Sequence, residues 1–219
     1  MMRRSRYDGS PNIGVYASVS ESLAIVAPDS STDFVRDLEE VLGVKTFMTT
    51  ISSSFLVGSL VAMNSSGAVV SRNVEAAELE EIRKHIPAEV LPDDVNASGN
   101  NVLVNDIGAI INPDLNKKSE RLIGDFLGVE VVRASIAGCN TVGSVCSVTN
   151  KGCICSVTTT DEEIELIKDI LGVEAKKTSV NHGSKYVGVG VLSNSKGALI
   201  GDETTPIEMG KIEDGLVLY

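Results

Sequence analysis

The sequence predicts a closed five-bladed α/β propeller, built from ββαβ repeats with pseudo-five-fold symmetry. Three observations predict it. The phrase VGSLVAMNSSGAVVS at residues 57–71 returns as VGSVCSVTNKGCICS at residues 142–156. Anchored on its early glycine, the phrase occurs five times, at Gly14, Gly58, Gly99, Gly143 and Gly188, with spacings of 44, 41, 44 and 45 residues. Nine residues beyond the anchors stand Leu23, Gly67, Gly108, Gly152 and Gly197; 29 residues beyond the first, third and fourth stand Gly43, Gly128 and Gly172. Fixed offsets held in several registers mark a repeat architecture with a unit of about 44 residues.

Each repeat reads in the same order. A short strand of small and β-branched residues comes first, over 59–63, 102–104, 144–148 and 189–192. A tight turn follows, as in Asn64-Ser65-Ser66-Gly67, Asn105-Asp106-Ile107-Gly108 and Asn194-Ser195-Lys196-Gly197. Asn caps such a turn, and Gly67, Gly108, Gly152 and Gly197 are expected to supply a positive φ there. After a second apolar strand comes an amphipathic helix, clearest in TTTDEEIELIKDILGVE. Thr160 and Glu163 form a capping box, Asp161 and Glu162 suit the positive end of the helix dipole, and Gly172 ends the helix. Its apolar face is Ile164, Ile167, Ile170 and Leu171. The equivalent faces are Phe34, Leu38, Val41 and Leu42; Leu79, Ile82 and Ile86; and Leu122, Ile123, Phe126 and Leu127. A third strand, as over 129–133, completes the unit.

A unit with one short helix cannot cover its own sheet, so the units must share a core. The repeats start near 13, 57, 98, 142 and 187 and make residues 1–219 one domain. The fifth repeat runs through PIEMGKIEDGLV to Tyr219 with no strand after it, while the first twelve residues belong to no repeat. Residues 3–12 are therefore expected to supply the missing strand and close the ring. An open array would need polar capping repeats, and none is visible.

Composition narrows the function. Apolar residues are 42% and charged residues 22%, with no Trp and 4% aromatics, so Val, Ile, Leu and Ala must build the core. No apolar run approaches the roughly 18 residues of a membrane helix, and the basic start MMRRSRYDGSPN lacks the apolar segment of a signal peptide. A cytoplasmic protein is expected. The net charge of −11 repels phosphate backbones, so little direct nucleic-acid binding and a basic protein partner are expected. The cysteines Cys139, Cys146, Cys153 and Cys155 contain no CxxC pair and have no His nearby in sequence, which argues for plain thiols and against a zinc site.

The phrases SIAGCNTVGS (135–144), ASGNNVLVND (97–106), INPDL (111–115) and VNHGSKYVGVGVLSNSKGALIGDETTPIE (180–208) resemble the sixth translation initiation factor shared by archaea and eukaryotes, over essentially the whole chain. Where that family commonly has NRGS, this chain has Asn181-His182-Gly183-Ser184, and its DTT-like tract is broken as Asp202-Glu203-Thr204-Thr205. The chain stops near Tyr219 without the long tail of eukaryotic members, which points to an archaeal form. The resemblance implies the pentein fold and a ribosome anti-association factor, acting as a monomer. Such a factor occupies the face of the large ribosomal subunit that would meet the small subunit, against a basic ribosomal protein beside the sarcin–ricin loop.

Other penteins are amidinotransferases and deiminases acting on guanidino groups, and they are the alternative. Their chemistry requires a Cys nucleophile, a His and an orienting carboxylate. Here His85 falls on the second helix and His182 in a loop, and Cys146, Cys153 and Cys155 take strand positions that small hydrophobes fill in sister repeats. Related enzymes place the nucleophile near the C-terminus, and no Cys follows Cys155. No catalytic, cofactor-binding or metal-binding residues are expected, and GVGVLSNSKG is a Gly-rich strand, not a phosphate cradle. The anchor glycines should ring one end of the propeller, with small uncharged neighbours Asn12, Ser59, Asn100, Asn140 and Ser144. The resemblance maps the ribosome contact onto Gly99 and Asn100, with the segment after Thr205 as a lesser candidate.

Overall fold

The computed structural model describes residues 1–219 and contains five three-stranded sheets. Blade 1 comprises Ala17–Val19, Leu23–Val26 and Lys45–Met48, with helix Thr32–Leu42. Blade 2 comprises Val61–Met63, Ala68–Val70 and Ala88–Val90, with helix Ala76–Arg83. Blade 3 comprises Val102–Val104, Gly108–Ile111 and Glu130–Arg133, with helix Lys117–Leu127. Blade 4 comprises Cys146–Val148, Cys153–Ser156 and Ala175–Thr178, with helix Asp161–Leu171. Blade 5 comprises Val191–Asn194 and Gly197–Gly201, with helix Pro206–Leu216. Its third strand is Met2–Ser5, which runs parallel to Gly197–Gly201 with Met2 opposite Ala198 and Ser5 opposite Gly201. The N-terminal strand thus completes the fifth blade, over residues 2–5 where 3–12 were expected. In every sheet the middle strand pairs antiparallel with the first and parallel with the third.

Closure of the ring is read from contacts between blades. A single helical turn precedes each first strand: Ile13–Val15, Val57–Leu60, Ser98–Asn101, Val142–Val145 and Val187–Gly190. The strands expected at 59–63, 144–148 and 189–192 therefore begin two residues late, at Val61, Cys146 and Val191. The anchor glycines sit inside these turns, not at strand starts, because the five turns crowd the axis. A Cβ on Gly58 would stand 2.0 Å from Gly14 O, on Gly99 1.9 Å from Gly58 O, on Gly143 2.2 Å from Gly99 O, on Gly188 1.9 Å from Gly143 O, and on Gly14 2.2 Å from Gly188 O. The sequence of contacts returns to its start, so five glycines form one closed ring of backbone on backbone.

The turn glycines are corrected as well. Gly67, Gly108, Gly152 and Gly197 do not have positive φ; the positive-φ glycines are Gly9, Gly43, Gly128, Gly138, Gly172 and Gly183. The constraint is space. Each blade's helix packs its C-terminal end on the sheet of the blade before it, and the glycine lets it approach. A Cβ on Gly108 would meet Ile170 O at 2.0 Å, on Gly152 Gly215 O at 2.1 Å, and on Gly197 Val41 O at 2.4 Å. Blade 1 has Leu23 at this position because the helix it faces, Ala76–Arg83, has 8 residues where the other four have 11. Leu23 fills the space left, in one buried cluster with Ile82 and Ile86.

Helix caps follow the sequence signals. Thr160 and Glu163 form the expected capping box, Thr205 with Glu208 and Glu75 with Glu78 form two more, and Gly43, Gly128 and Gly172 end three helices in the left-handed conformation. Helix Pro206–Leu216 ends instead at Val217, with φ 53° and ψ 56°. A β-branched residue is strained there. Val217→Gly is expected to stabilise the fold by about 1 kcal/mol, read as a rise in denaturant midpoint at unchanged slope.

Candidate functional site

The propeller has two unlike ends. First strands run from the glycine ring to the hairpin turns, and second and third strands run back. The ring end therefore carries the anchor turns, the inter-blade loops and the N-termini of all five helices. Of nine exposed large apolar residues, six lie at this end by connectivity: Met48, Phe55, Leu56, Val157, Tyr186 and Ile207, the last 77% exposed. The turn end has Ile107 and the terminal residues Met1 and Tyr219. Exposed apolar side chains are thus more numerous at the ring end than at the turn end.

The sequence candidates fall on the same end. Asn12 is exposed, Ser59, Gly99 and Asn100 are half-buried, Asn140 is exposed and Ser144 is buried at 7% exposure. Ser144 therefore presents little surface. The Asn140 amide donates to Asp114 Oδ2 at 2.8 Å, while the side chains of Asn12 and Asn100 make no hydrogen bond within the chain and are free to meet a partner. The helix N-termini place Asp33, Glu75, Asp161 and Glu162 around this uncharged centre, where they also complement the helix dipoles.

Sequence reasoning missed the apolar set, and it missed a second duty of the capping-box glutamates. The third strand of a blade leads into a four-residue hairpin at Tyr7–Ser10, Ile51–Ser54 and Ile136–Cys139, and a five-residue one at Val180–Ser184. Their tips are left-handed, at Asp8, Ser52, Ser53, Ala137, Asn181 and His182 among others. Glu78 accepts from Ser52 N at 2.7 Å and Ser53 N at 2.9 Å, Glu163 from Ala137 N at 3.0 Å, and Glu208 from Gly183 N at 2.8 Å and His182 N at 3.3 Å. One carboxylate thus caps its own helix and clamps the preceding loop. The signal was present in the recurrence of Glu at the third helical position. Burial raises the Glu208 pKa, but Thr205 N–H, the Ser179 hydroxyl and Gly183 N–H outweigh it and hold the carboxyl down to about 2.

The thiols and histidines are arranged without a nucleophile–base pair. A hydrogen bond to Cys153 and burial push the Cys146 thiol up, and burial pushes Cys155 up to about 12, so both stay protonated at neutral pH. His85 lies just past its helix, which ends at Arg83, and stacks on Phe47 with ring centroids 4.1 Å apart. His182 is exposed in its loop, and neither His hydrogen-bonds a Cys. No group of three or more His, Cys, Asp or Glu side chains is placed to hold a metal ion. The axial channel encloses about 120 Å³ between Gly14, Ser18, Ser59, Asn100, Ser147 and Ser193, well under the roughly 300 Å³ at which ligand pockets begin. No helix is long and apolar enough to cross a membrane.

Five blades closed into a ring, with exposed apolar side chains and helix-terminal carboxylates gathered at one end, make a pentein-type scaffold. Residues 2–215 match the eIF-6 family, and the chain belongs to it. Among its relatives, "Translation initiation factor 6" of Methanocorpusculum labreanum is 40% identical over 94% of this chain and 95% of its own length. The protein of the same name from Thermoplasma acidophilum is 38% identical over 99% and 100%. Among solved structures, a citrulline complex of Pseudomonas aeruginosa DDAH aligns with TM-score 0.52 over 99% of this chain and 87% of that one, at 13% identity. An adduct of dimethylarginine dimethylaminohydrolase aligns with TM-score 0.51 over the same shares, at 11% identity. These two share the fold alone. Family membership sets this chain among non-enzymatic translation factors, apart from the guanidino-group enzymes of similar fold.

Proposed function

We propose that this chain binds the large ribosomal subunit through the glycine-ring face and prevents its joining to the small subunit. Membership of the eIF-6 family carries the reading, and the polarity of the ring supports the choice of face. No chemistry is required. A compact ring of 219 residues, on the order of 40 Å across, clashes with the small subunit wherever it docks on the intersubunit face. The partner is a basic ribosomal protein near the sarcin–ricin loop: its cations meet the acidic rim, and its apolar side chains meet Phe55, Leu56 and Tyr186. Charge complementarity of this kind speeds encounter and excludes wrong partners. The protein acts as a cytoplasmic monomer, with residues 1–219 as one domain.

Light scattering of purified archaeal subunits, with and without the protein, tests this. Joining should fall as protein is added, and the protein should co-sediment with large subunits in sucrose gradients. Rising salt should weaken binding, since exposed charges are screened over about 8 Å at physiological ionic strength. Asn100→Arg sets a cation against a basic partner and should lower affinity at least tenfold while the chain still unfolds in one cooperative transition. Binding to neither subunit, or to the small one alone, would overturn the proposal.

A further inference from the structure

The five anchor turns are alike in backbone, but blade 3 differs in what lies beneath. Two residues past each anchor stand Tyr16, Leu60, Asn101, Val145 and Gly190. Thirteen past each anchor stand Ala27, Ser71, Asn112, Ser156 and Gly201. In blades 1, 2 and 3 the backbone N–H of the second residue donates to the carbonyl of the first: Ala27 to Tyr16, Ser71 to Leu60, Asn112 to Asn101. Only blade 3 has an amide at both positions, and both are buried, at 2% and 4% exposure.

Every polar atom of this pair has work in the contact region. Asn101 Nδ2 donates to Asn96 O and to Ala97 O at 3.0 Å, and Asn101 Oδ1 accepts from Asn112 Nδ2 at 2.8 Å. Asn112 Oδ1 accepts from Asp114 N at 2.8 Å, and Asp114 Oδ2 accepts from Asn140 Nδ2 at 2.8 Å. A hydrogen-bonded line therefore runs from the turn holding Asn100 to Asn140, at the entrance to blade 4. At its head is Ala97, left-handed at φ 70° and ψ 65°, whose carbonyl also accepts from Asn100 N at 3.0 Å. This connection is the one of five that lacks the tight hairpin bridge found at Tyr7–Ser10, Ile51–Ser54, Ile136–Cys139 and Val180–Ser184. The Asn101–Asn112 pair is buried and the Asp114–Asn140 link is exposed; a satisfied buried polar pair rigidifies what it holds and selects one arrangement, where an apolar contact would tolerate several.

We propose that the buried amide pair Asn101–Asn112 is a positioning device that fixes Asn100 and Asn140 as a single rigid contact element for the large subunit. The inference rests on the proposed function above. The pair does not touch the partner: it sets the geometry of the residues that do, so its removal should cost affinity more than stability.

Blade 2 supplies the control. Its Leu60 and Ser71 occupy the same positions, and Ser71 Oγ donates to Leu60 O at 3.0 Å. The double variant Asn101→Leu with Asn112→Ser installs that solution in blade 3. Measured against purified large subunits, it should still unfold cooperatively, with a melting temperature lowered by the bonds to Asn96 O, Ala97 O and Asp114 N that it gives up, and bind at least tenfold more weakly. Adding Asn100→Ala should then weaken binding far less than the same change does alone. A second cycle uses the surface residues alone. If Asn100→Ala and Asn140→Ala each weaken binding threefold or more, their combination should fall short of the product by at least threefold. Binding of the blade 2 graft equal to that of the unaltered protein, or effects that multiply independently in the second cycle, would overturn the inference and leave the proposed function standing. Failure of the unaltered protein to bind large subunits would instead remove the proposed function, and this inference with it.

Discussion

Gly99→Ala should unfold the ring or leave it near the edge of stability. The new methyl carbon would stand 1.9 Å from Gly58 O and 2.8 Å from Val61 O, both main-chain atoms of the preceding blade. A side chain could rotate away; a carbonyl embedded in the closed ring can move only with its blade, and the other glycine contacts oppose that. Overpacking typically costs about 1–3 kcal/mol where side chains yield, and this site should reach or exceed the upper end. Denaturant unfolding would register the loss as a lowered midpoint, or as failure to recover folded protein. Gly210→Ala is the control. Gly210 lies inside helix Pro206–Leu216, and a methyl group added there would meet nothing within 4 Å, so the change should stabilise by about 0.5–1 kcal/mol through helix propensity. If Gly99→Ala melts like the unaltered protein, the backbone ring is not what closes the propeller.

The second large effect is expected at Glu208. Its carboxylate accepts from Thr205 N at 2.8 Å, Ser179 Oγ at 2.7 Å, Gly183 N at 2.8 Å and Thr205 Oγ1 at 2.9 Å, at 6% exposure. Glu208→Gln keeps the shape but removes the charge and turns one acceptor into a donor facing donors. Hydrogen bonds to a charged group contribute about 1.5–3 kcal/mol, so a loss of about 2–3 kcal/mol is expected, or roughly 5–10 °C in melting temperature for a chain of this size. The pH dependence follows from the depressed pKa. A carboxyl near 4.3 when unfolded and about 2 when folded stabilises the native state fully above the unfolded value, and the contribution is lost as pH falls from about 4.3 toward 2. Glu78, also held below its ordinary value by the hydroxyl of Thr50 and the amides of Glu75, Ser53 and Ser52 against the opposing effect of burial, adds in the same direction. Thermal melts at pH 7, 4 and 3 should show the gap between Glu208→Gln and the unaltered protein narrowing as pH falls. A gap constant over that range would mean that the carboxylate's charge is not what clamps the loop.

The sequence alone determined the repeat, its phase and its number. Offsets recurring in several registers are a one-dimensional property, and the turns begin at Ile13, Val57, Ser98, Val142 and Val187, as the repeat phase requires. Helices were legible because their faces and caps are local: Phe34, Leu38, Val41 and Leu42 are all buried, and Thr160 binds Glu163 as its spacing requires. The need for a closing strand was legible from an unpaired fifth repeat. What the glycines do was decided only in three dimensions. Gly108 reads as a turn residue beside Asn105, yet its constraint is the carbonyl of Ile170, 62 residues away on the next blade's helix. A positive φ and a close approach demand the same residue type, so sequence cannot separate them; only the packing partner can. The same holds for the docking face. Met48, Phe55, Leu56, Val157, Tyr186 and Ile207 are scattered over 160 positions, and only Leu56 and Tyr186 share a repeat position, because a surface is assembled by closure of the ring and not by any one segment. Asn101 and Asn112 likewise look like two more asparagines in a polar stretch until the fold buries them against each other, where an unmet amide would be costly and a met one holds its neighbours in place.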